Sequence, residues 1–267
     1  MNTVKKKLLR KNLNYQTKLN EFKNNIKISE NKLLYKYQLE YAFESLKDWS
    51  VFSSLDEVSK WFISKRKNVK MKVKNISLED LTEWEFDKKG NLSHISGEFF
   101  RIHGLRTFTK LRETNEKYWD QPIITQVGYD GGILGIIRKR FNKIPHYLCE
   151  AKAEPGNYGI VQISPTIQAT FSNINQAHKG RKPNFIYLFK SINKQKNIEI
   201  LFDSWLAEDG GRMNKKRNRS LLIQVPETMT IDIPNNNYLW LTLYQLKALL
   251  KKNAWVNPHV RGIIAHT

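Results

Sequence analysis

One cysteine, Cys149, stands in 267 residues. That scarcity excludes a disulfide scaffold and a cysteine-based zinc site, both of which need several thiols. Long apolar runs are missing too. None approaches the roughly 20 residues a membrane span requires, and the Lys-rich N-terminus has no apolar stretch of the kind that directs export. The six histidines show no metal-ligand spacing, and no acidic cluster resembles a cation cage. Aromatic residues, by contrast, are plentiful. Seven Trp, eleven Tyr and thirteen Phe need burial, which excludes a disordered chain. The expectation is a reduced, soluble, cytoplasmic protein with one large core, or a core and an appendage.

Acidic residues are few: 25 Asp and Glu face 45 Lys and Arg, for a formal net charge of +20. Such an excess ordinarily raises nucleic acid as a partner. Its distribution argues otherwise. Residues 1–75 carry 18 Lys/Arg against seven Asp/Glu, so over half the excess lies in little more than a quarter of the chain. A solvated Lys-rich surface accounts for that segment, and no run interleaves exposed aromatics with lysines as a stacking platform would. The milder excess beyond residue 75 suits an anionic ligand such as a nucleotide diphosphate.

Residues 1–50 contain neither proline nor glycine, and Leu19, Phe22, Ile26 and Leu33 recur at helical spacing, followed by Tyr37, Tyr41, Leu46 and Trp49. Asn24, Asn25 and Ser29-Glu30-Asn31 predict a split into two helices. Their single apolar stripe needs a covering surface, and a second copy of the chain is the expected one. Ser54 reads as the cap of an amphipathic helix over 55–68 with Leu55, Val58, Trp61 and Phe62 inward. After residue 70 short β-type runs alternate with turn signals such as Lys89-Gly90-Asn91 and Glu154-Pro155-Gly156-Asn157. Leu241 to Lys252 returns to helix. The fold class is α+β: a sheet-rich domain over 55–267 with a helical N-terminal extension over 1–54.

Two strands carry chemistry. In 161–171 the odd positions are apolar, whereas the even ones are Gln162, Ser164, Thr166, Gln168 and Thr170. In 146–154 the polar set is His146, Glu150, Lys152 and Glu154. The turn between them predicts a hairpin whose polar faces coincide, either as a solvated exterior or as the lining of a pocket. Two Gln with Ser and Thr, flanked by carboxylates and a lysine, make a pocket-like composition. Downstream, Lys215, Arg217 and Arg219 share a face by period two, as a diphosphate clamp or simply a basic loop. His178 lies close enough in sequence to reach the pocket, or else is structural. Gly128, Gly131, Gly132 and Gly135 form no phosphate-loop motif and read as a hairpin turn.

At these residues the sequence resembles the NDP-hexose 2,3-dehydratases of deoxysugar biosynthesis. The matching blocks include YWDQPIITQ (118–126), HYLCEAKAEPGN (146–157), VQISPTIQATFSN (161–173), KKRNRS (215–220), YLWLTLYQLKALL (238–250) and WVNP (255–258), spread over about residues 55 to 267. The resemblance implies a Nudix-like mixed-sheet fold without the Nudix metal box, no metal and no cofactor. It also implies a nucleotide-linked 4-keto-6-deoxyhexose as substrate, most often on dTDP.

The matching site positions are His146, Lys152, Glu154, Asn157, Gln162, Thr166, Gln168, Thr170, Asn173, His178, Arg217, Asn218 and Arg219. The roles expected of them are Glu154 or His178 as base at C3, and Lys152 polarising the ketone or protonating the leaving hydroxyl. Gln162 and Gln168 then orient sugar hydroxyls, and Arg217 and Arg219 hold the diphosphate. Glu150 stands where the family commonly has Gln. Family members carry two such modules in tandem, so a single module implies a homodimer, with a 3-ketoreductase or aminotransferase as downstream partner. The competing function is a non-catalytic nucleotide-sugar-binding or scaffolding module.

Overall fold

The computed structural model describes residues 3–25, 36–108, 118–128, 131–177, 180–190, 192 and 197–267, with side chains omitted for 3–13 and 36. Three helices lead: α1 (Thr3–Asn25), α2 (Lys36–Leu46) and α3 (Leu55–Lys67). Ser54 caps α3 in a reciprocal box with Glu57: the Ser54 hydroxyl accepts from the Glu57 N–H and the Glu57 carboxylate accepts from the Ser54 N–H. Among the described residues no helix is long and apolar enough to cross a membrane.

A four-stranded antiparallel meander follows, β1 (Trp84–Phe86), β2 (Leu92–His94), β3 (Phe99–Phe108) and β4 (Tyr118–Val127). The larger sheet holds β5 (Gly132–Phe141), β6 (Ile144–Ala153), β7 (Val161–Ser164), β8 (Ile167–Thr170), β9 (Glu199–Ala207), β10 (Arg217–Val225) and β11 (Tyr238–Leu241). Its order is β11-β6-β5-β10-β9, with β10 parallel to β5 and the other pairings antiparallel. The shorter helices are α4 (Phe171–Ile174), α5 (Ile186–Phe189), α6 (Leu243–Leu250) and α7 (Pro258–Ile264). One face of the sheet packs on α3, α6 and α7 through Phe62, Leu246 and Ile263, and the other on α4 and α5 through Ile174 and Phe189. The result is the mixed-sheet α+β architecture expected from the sequence, with helices on both faces.

Three elements differ from expectation. The predicted single strand over 161–171 is two strands, because Pro165 has no N–H to continue a ladder. β7 pairs with β6, and β8 pairs with β5. Strands β5 and β6 pair from their hairpin turn as far as Ile137 opposite Leu148, then part, and the β7–β8 segment enters the gap. At that fork Thr166, 1% exposed, bridges the two strands. Its hydroxyl accepts from the Ile137 N–H and donates to the Leu148 carbonyl. The second difference is that Leu241 ends β11, and helix begins only after Thr242, which forms a capping box with Gln245. Third, the glycine cluster joins β4 to β5 across two sheets instead of turning a hairpin. Gly128 and Gly131 take left-handed φ there, and Gly135 lies beneath the Phe189 ring, where a Cβ has no room.

The N-terminal helices pack on their own chain. Tyr15, Leu19 and Phe22 of α1 meet Phe43, Trp49 and Ile144, so this part of the stripe expected to face a second copy is covered internally. Ile26 and Leu33 lie outside the described residues. Beneath α2 is a buried ionic cluster. Arg138 of β5, 0% exposed, pairs with Glu44 at 2.6 Å and Glu40 at 3.2 Å and donates to the Tyr147 hydroxyl. Arg140 grips Glu40 through both oxygens, at 2.6 and 2.7 Å. Burial works against the Glu40 carboxylate, yet the Arg140 hydrogen bond and the two guanidinium charges hold it down at about 2.

Two expectations follow. Thr166→Val leaves two buried backbone groups without partners and should destabilise the fold by about 2 kcal/mol or more, whereas Thr166→Ser should be near neutral, as read by denaturant unfolding. Residues 55–267 expressed alone lose the helices that cover Arg138 and Ile144, and with them the Glu40 and Glu44 partners of Arg138. That fragment should lose the cooperative transition of the full chain in thermal unfolding.

Candidate active site

The fork creates the site. Where β5 and β6 part, the end of β6, β8, the start of β10 and the first turn of α7 enclose a cavity of about 370 Å³. Lys152, Glu154, Gln168, Glu208, Lys216 and His259 bring titratable and amide groups to it, and Phe100 of β3 faces it from the smaller sheet. The two sheets are joined beside it by a bridge between Ile124 and Met213. A larger cavity of about 730 Å³ beside α3 is lined by Lys65, Lys70, Glu150 and also Lys152, which borders both cavities.

The expected hairpin is present: Lys152 is registered opposite Gln162 and Glu150 opposite Ser164. Along one wall the side chains form a hydrogen-bonded chain. Gln168 Nε2 donates to Glu154 Oε1 at 2.9 Å, while Asn157 Nδ2, from the turn, donates to Oε2 at 3.3 Å. The Lys152 ammonium donates to the Gln168 carbonyl at 3.1 Å and lies 3.7 Å from Glu154 Oε1. Behind them Asn257, 2% exposed, donates to Gln168 Oε1 at 3.0 Å and to the Ser164 hydroxyl at 2.9 Å, while its own oxygen caps α7. The segment 255–257 reaches this place by adding to the free edge of β7: Ile163 N–H donates to the Trp255 carbonyl and Asn257 N–H to the Ile163 carbonyl. Gln168 is thus fixed at both ends of its amide before any ligand arrives.

The opposite wall is built from β9 and β10. Asn218 Nδ2 donates to Glu208 Oε1 at 2.5 Å, and the same oxygen lies 3.6 Å from His259 Nδ1. Burial pushes the His259 imidazole below the usual histidine range. Glu208 and Glu154 oppose that shift, and Lys152 and Lys216 add to it. The Lys216 ammonium donates to the Gln126 side chain of β4 and sits over the Phe100 ring.

Of the residues expected at the site, Lys152, Glu154, Gln168, Thr170, Asn173 and Asn218 line this one cavity. Thr170 uses its hydroxyl to cap α4. Others lie elsewhere. His146 shares a strand face with Lys152 by parity, but six residues of β-strand separate them by about 20 Å. Its ring, 0% exposed, accepts from the Val51 N–H and faces the Ile144 carbonyl. Thr166 belongs to the fork, and Gln162 donates to the Ala254 carbonyl away from the cavity. Arg217 lies over the Trp205 ring and Arg219 forms a two-pronged pair with Asp203, at 2.9 and 2.6 Å. Arg217 and Arg219 share a face of β10, but Lys215 precedes the strand with left-handed φ, and the alternate positions, Lys216 and Asn218, are the ones turned to the cavity. His178 lies outside the described residues.

Glu150 does not line this cavity but borders the larger one beside Lys152. It sits against Tyr238, and burial pushes its carboxyl up. Four site residues escaped the sequence patterns: Glu208, Lys216, Asn257 and His259. Asn257-Pro258 carries the one readable signal, a cap followed by proline at the first helical position, which places His259 in the opening turn of α7.

The family model and the curated relatives point to one family. Residues 55–267 match the NDP-hexose 2,3-dehydratase family. A dTDP-4-dehydro-6-deoxy-alpha-D-glucopyranose 2,3-dehydratase from Saccharopolyspora spinosa is 35% identical over 206 residues, 77% of this chain and 40% of the relative. One of the same name from Amycolatopsis orientalis is 34% identical over 215 residues, 79% of this chain and 44% of the relative. The chain therefore spans less than half the length of the curated relatives it matches. Among solved structures, a Nudix hydrolase from M. smegmatis is 9% identical with a TM-score of 0.32, over 53% of this chain and 86% of that one. On its matched residues, the chain belongs to the NDP-hexose 2,3-dehydratase family.

Proposed function

We propose that this chain carries out a 2,3-dehydration of a nucleotide-linked 4-keto-6-deoxyhexose, with the dTDP-linked glucose derivative as the first substrate to test. What supports this reading is the convergence of Lys152, Glu154 and Gln168 on one cavity in a chain of this family.

The chemistry needs little beyond placed donors and acceptors. The C4 ketone acidifies the C3 hydrogen, so a base removes it and the electron pair moves onto the C4 oxygen. The C4 carbonyl then re-forms as the C2–O bond breaks, and the C2 hydroxyl leaves as water once it has taken a proton. The remaining enol tautomerises to a 3,4-diketo-2,6-dideoxy sugar. Because the ketone is the electron sink, the steps can be written without an external cofactor. An ammonium near the C4 oxygen stabilises the enolate as an oxyanion site does. Lys152 takes that place or protonates the departing hydroxyl, and Glu154 holds its ammonium there. Gln168, pinned by Asn257, orients a sugar hydroxyl. On the far wall Lys216 is the cation turned to the cavity, and we assign it the diphosphate contact in place of Arg217 and Arg219. A second copy of the chain, a downstream 3-ketoreductase or aminotransferase, and a cytoplasmic setting complete the proposal. The dimer rests on the resemblance, because the described part of the α1 stripe is covered within the chain.

The reaction is tested with dTDP-4-keto-6-deoxyglucose in deuterated water, trapping the product with a 3-ketoreductase and NADPH. A 2-deoxy product carrying solvent deuterium at C2 is expected; unreacted starting material, with GDP- and UDP-linked analogues also inert, would favour a non-catalytic binding module. Glu154→Gln should lower kcat by about tenfold or more with nucleotide affinity kept, because the Lys152 ammonium loses the carboxylate that holds it in place. Asn257→Ser keeps an α7 cap but frees Gln168 and leaves the Ser164 hydroxyl without its donor, so kcat should fall about tenfold and stability by about 1–3 kcal/mol. Lys216→Ala should raise KM about tenfold and Arg219→Ala less than about twofold, as rim and cavity charges differ.

A further inference from the structure

The dehydratase proposal leaves the C3 base open between a carboxylate and an imidazole. The sequence pointed to Glu154 or His178. In the fold, both Glu154 oxygens already accept hydrogen bonds, from Gln168 and from Asn157, with the Lys152 ammonium beside them. A carboxylate so occupied serves to hold its donors. His259 faces the same cavity from α7, on the wall opposite that chain, and no sequence motif brought it forward.

We propose that His259 is the catalytic base that takes the C3 proton, with Glu208 as the positioning residue behind it; this rests on the dehydratase reading. The geometry carries it. His259 Nδ1 is the ring nitrogen facing Glu208 Oε1, at 3.6 Å, which leaves Nε2 for a substrate. Glu208 is itself anchored: Asn218 Nδ2 donates to the same oxygen at 2.5 Å, and its backbone N–H donates to the Lys216 carbonyl at 2.9 Å. A base oriented by a carboxylate that is in turn held by an amide is the general form of an activated proton acceptor.

The charged groups facing the ring are Glu208 beyond β9, Lys152 of β6 and Glu154 just after it, and Lys216 before β10. Burial and the two ammonium groups favour the neutral ring, which can accept a proton at neutral pH. The Glu208 carboxylate stabilises the imidazolium once formed.

The protons balance over the cycle. His259 takes the proton from C3, and the Lys152 ammonium gives one to the C2 hydroxyl as the C2–O bond breaks and water leaves. On tautomerisation the C3 enol hydroxyl returns a proton to Lys152, and C2 receives one from His259. Exchange of the imidazolium proton with solvent before that last step brings deuterium to C2.

Two measurements on the full chain test this. The first is the pH dependence of kcat/KM for dTDP-4-keto-6-deoxyglucose in the wild type, Glu208→Gln and His259→Gln. The second is exchange of the C3 hydrogen with deuterated water in the dTDP-linked 4-keto sugar that lacks the C2 hydroxyl, which cannot eliminate. His259→Gln should lose at least 10²-fold in both while binding dTDP as the wild type does. His259→Gly should recover part of its exchange activity on addition of free imidazole. In Glu208→Gln the acid limb should move to lower pH, because the imidazolium has lost its stabilising charge.

Full exchange and an unmoved acid limb in His259→Gln would overturn the assignment and leave the dehydratase reading intact. Loss of activity without imidazole rescue and without a limb shift in Glu208→Gln would overturn it in favour of a structural role. A wild type that neither exchanges C3 nor eliminates would sink the dehydratase reading itself.

Discussion

The site depends on a parting of strands. An antiparallel pair continues until something stops its ladder, and here β5 and β6 stop at Ile137 and Leu148 because another segment takes over both edges. Pro165 breaks that segment into two short strands, one for each partner. Thr166, next in the chain, satisfies the two backbone groups left at the point of separation. An unpaired N–H and carbonyl buried at that point would each cost on the order of 1–3 kcal/mol, so the hydroxyl makes the fork tenable. The cavity is the space the fork opens.

What the fork opens, the rest of the fold lines with opposed chemistry. The β6 end brings Lys152 and Glu154, β8 brings Gln168, and α7 brings Asn257 and His259, while the β9–β10 end supplies Glu208, Lys216 and Asn218. Carboxylates alternate with ammonium groups around one small volume. A site of that composition holds its charges in fixed places, and preorganised charge is what an enolate-forming reaction needs most. The amide chain from Asn257 through Gln168 to Glu154 links the capping of a helix to the geometry of the acid–base groups. The ionic cluster of Arg138, Arg140, Glu40 and Glu44 performs a related task at the other end of β5, tying α2 to the sheet that carries the site.

Much of this was legible in the sequence, for reasons that can be named. The turn at 155–157 and period-two alternation on either side gave the β6–β7 hairpin and the common side of Lys152, Glu154 and Gln168. The Ser54 cap and the inward positions Val58 and Phe62 were readable from helical spacing. Parity misled at His146, because sharing a face says nothing about sharing an end of a ten-residue strand. It misled differently at 215–219, where which face is inward is decided by Phe100 and Gln126 of another sheet, far away in sequence. The fork was hidden because an alternating pattern runs unbroken through Pro165, and only the partner strands reveal the division. A boundary at residue 54 follows the family match, yet Glu40, Glu44 and Trp49 belong to clusters shared with β5 and β6. Burying charge in that place has no periodic signature.

The most direct measurement of the central claim is a crystal structure of this chain with the dTDP-linked 4-keto sugar lacking the C2 hydroxyl. The account predicts the hexose ring in the fork, its C2 turned to the Lys152 ammonium and its C3 facing His259 Nε2. A hexose bound instead beside Lys65 and Lys70, with the fork holding only solvent, would contradict it.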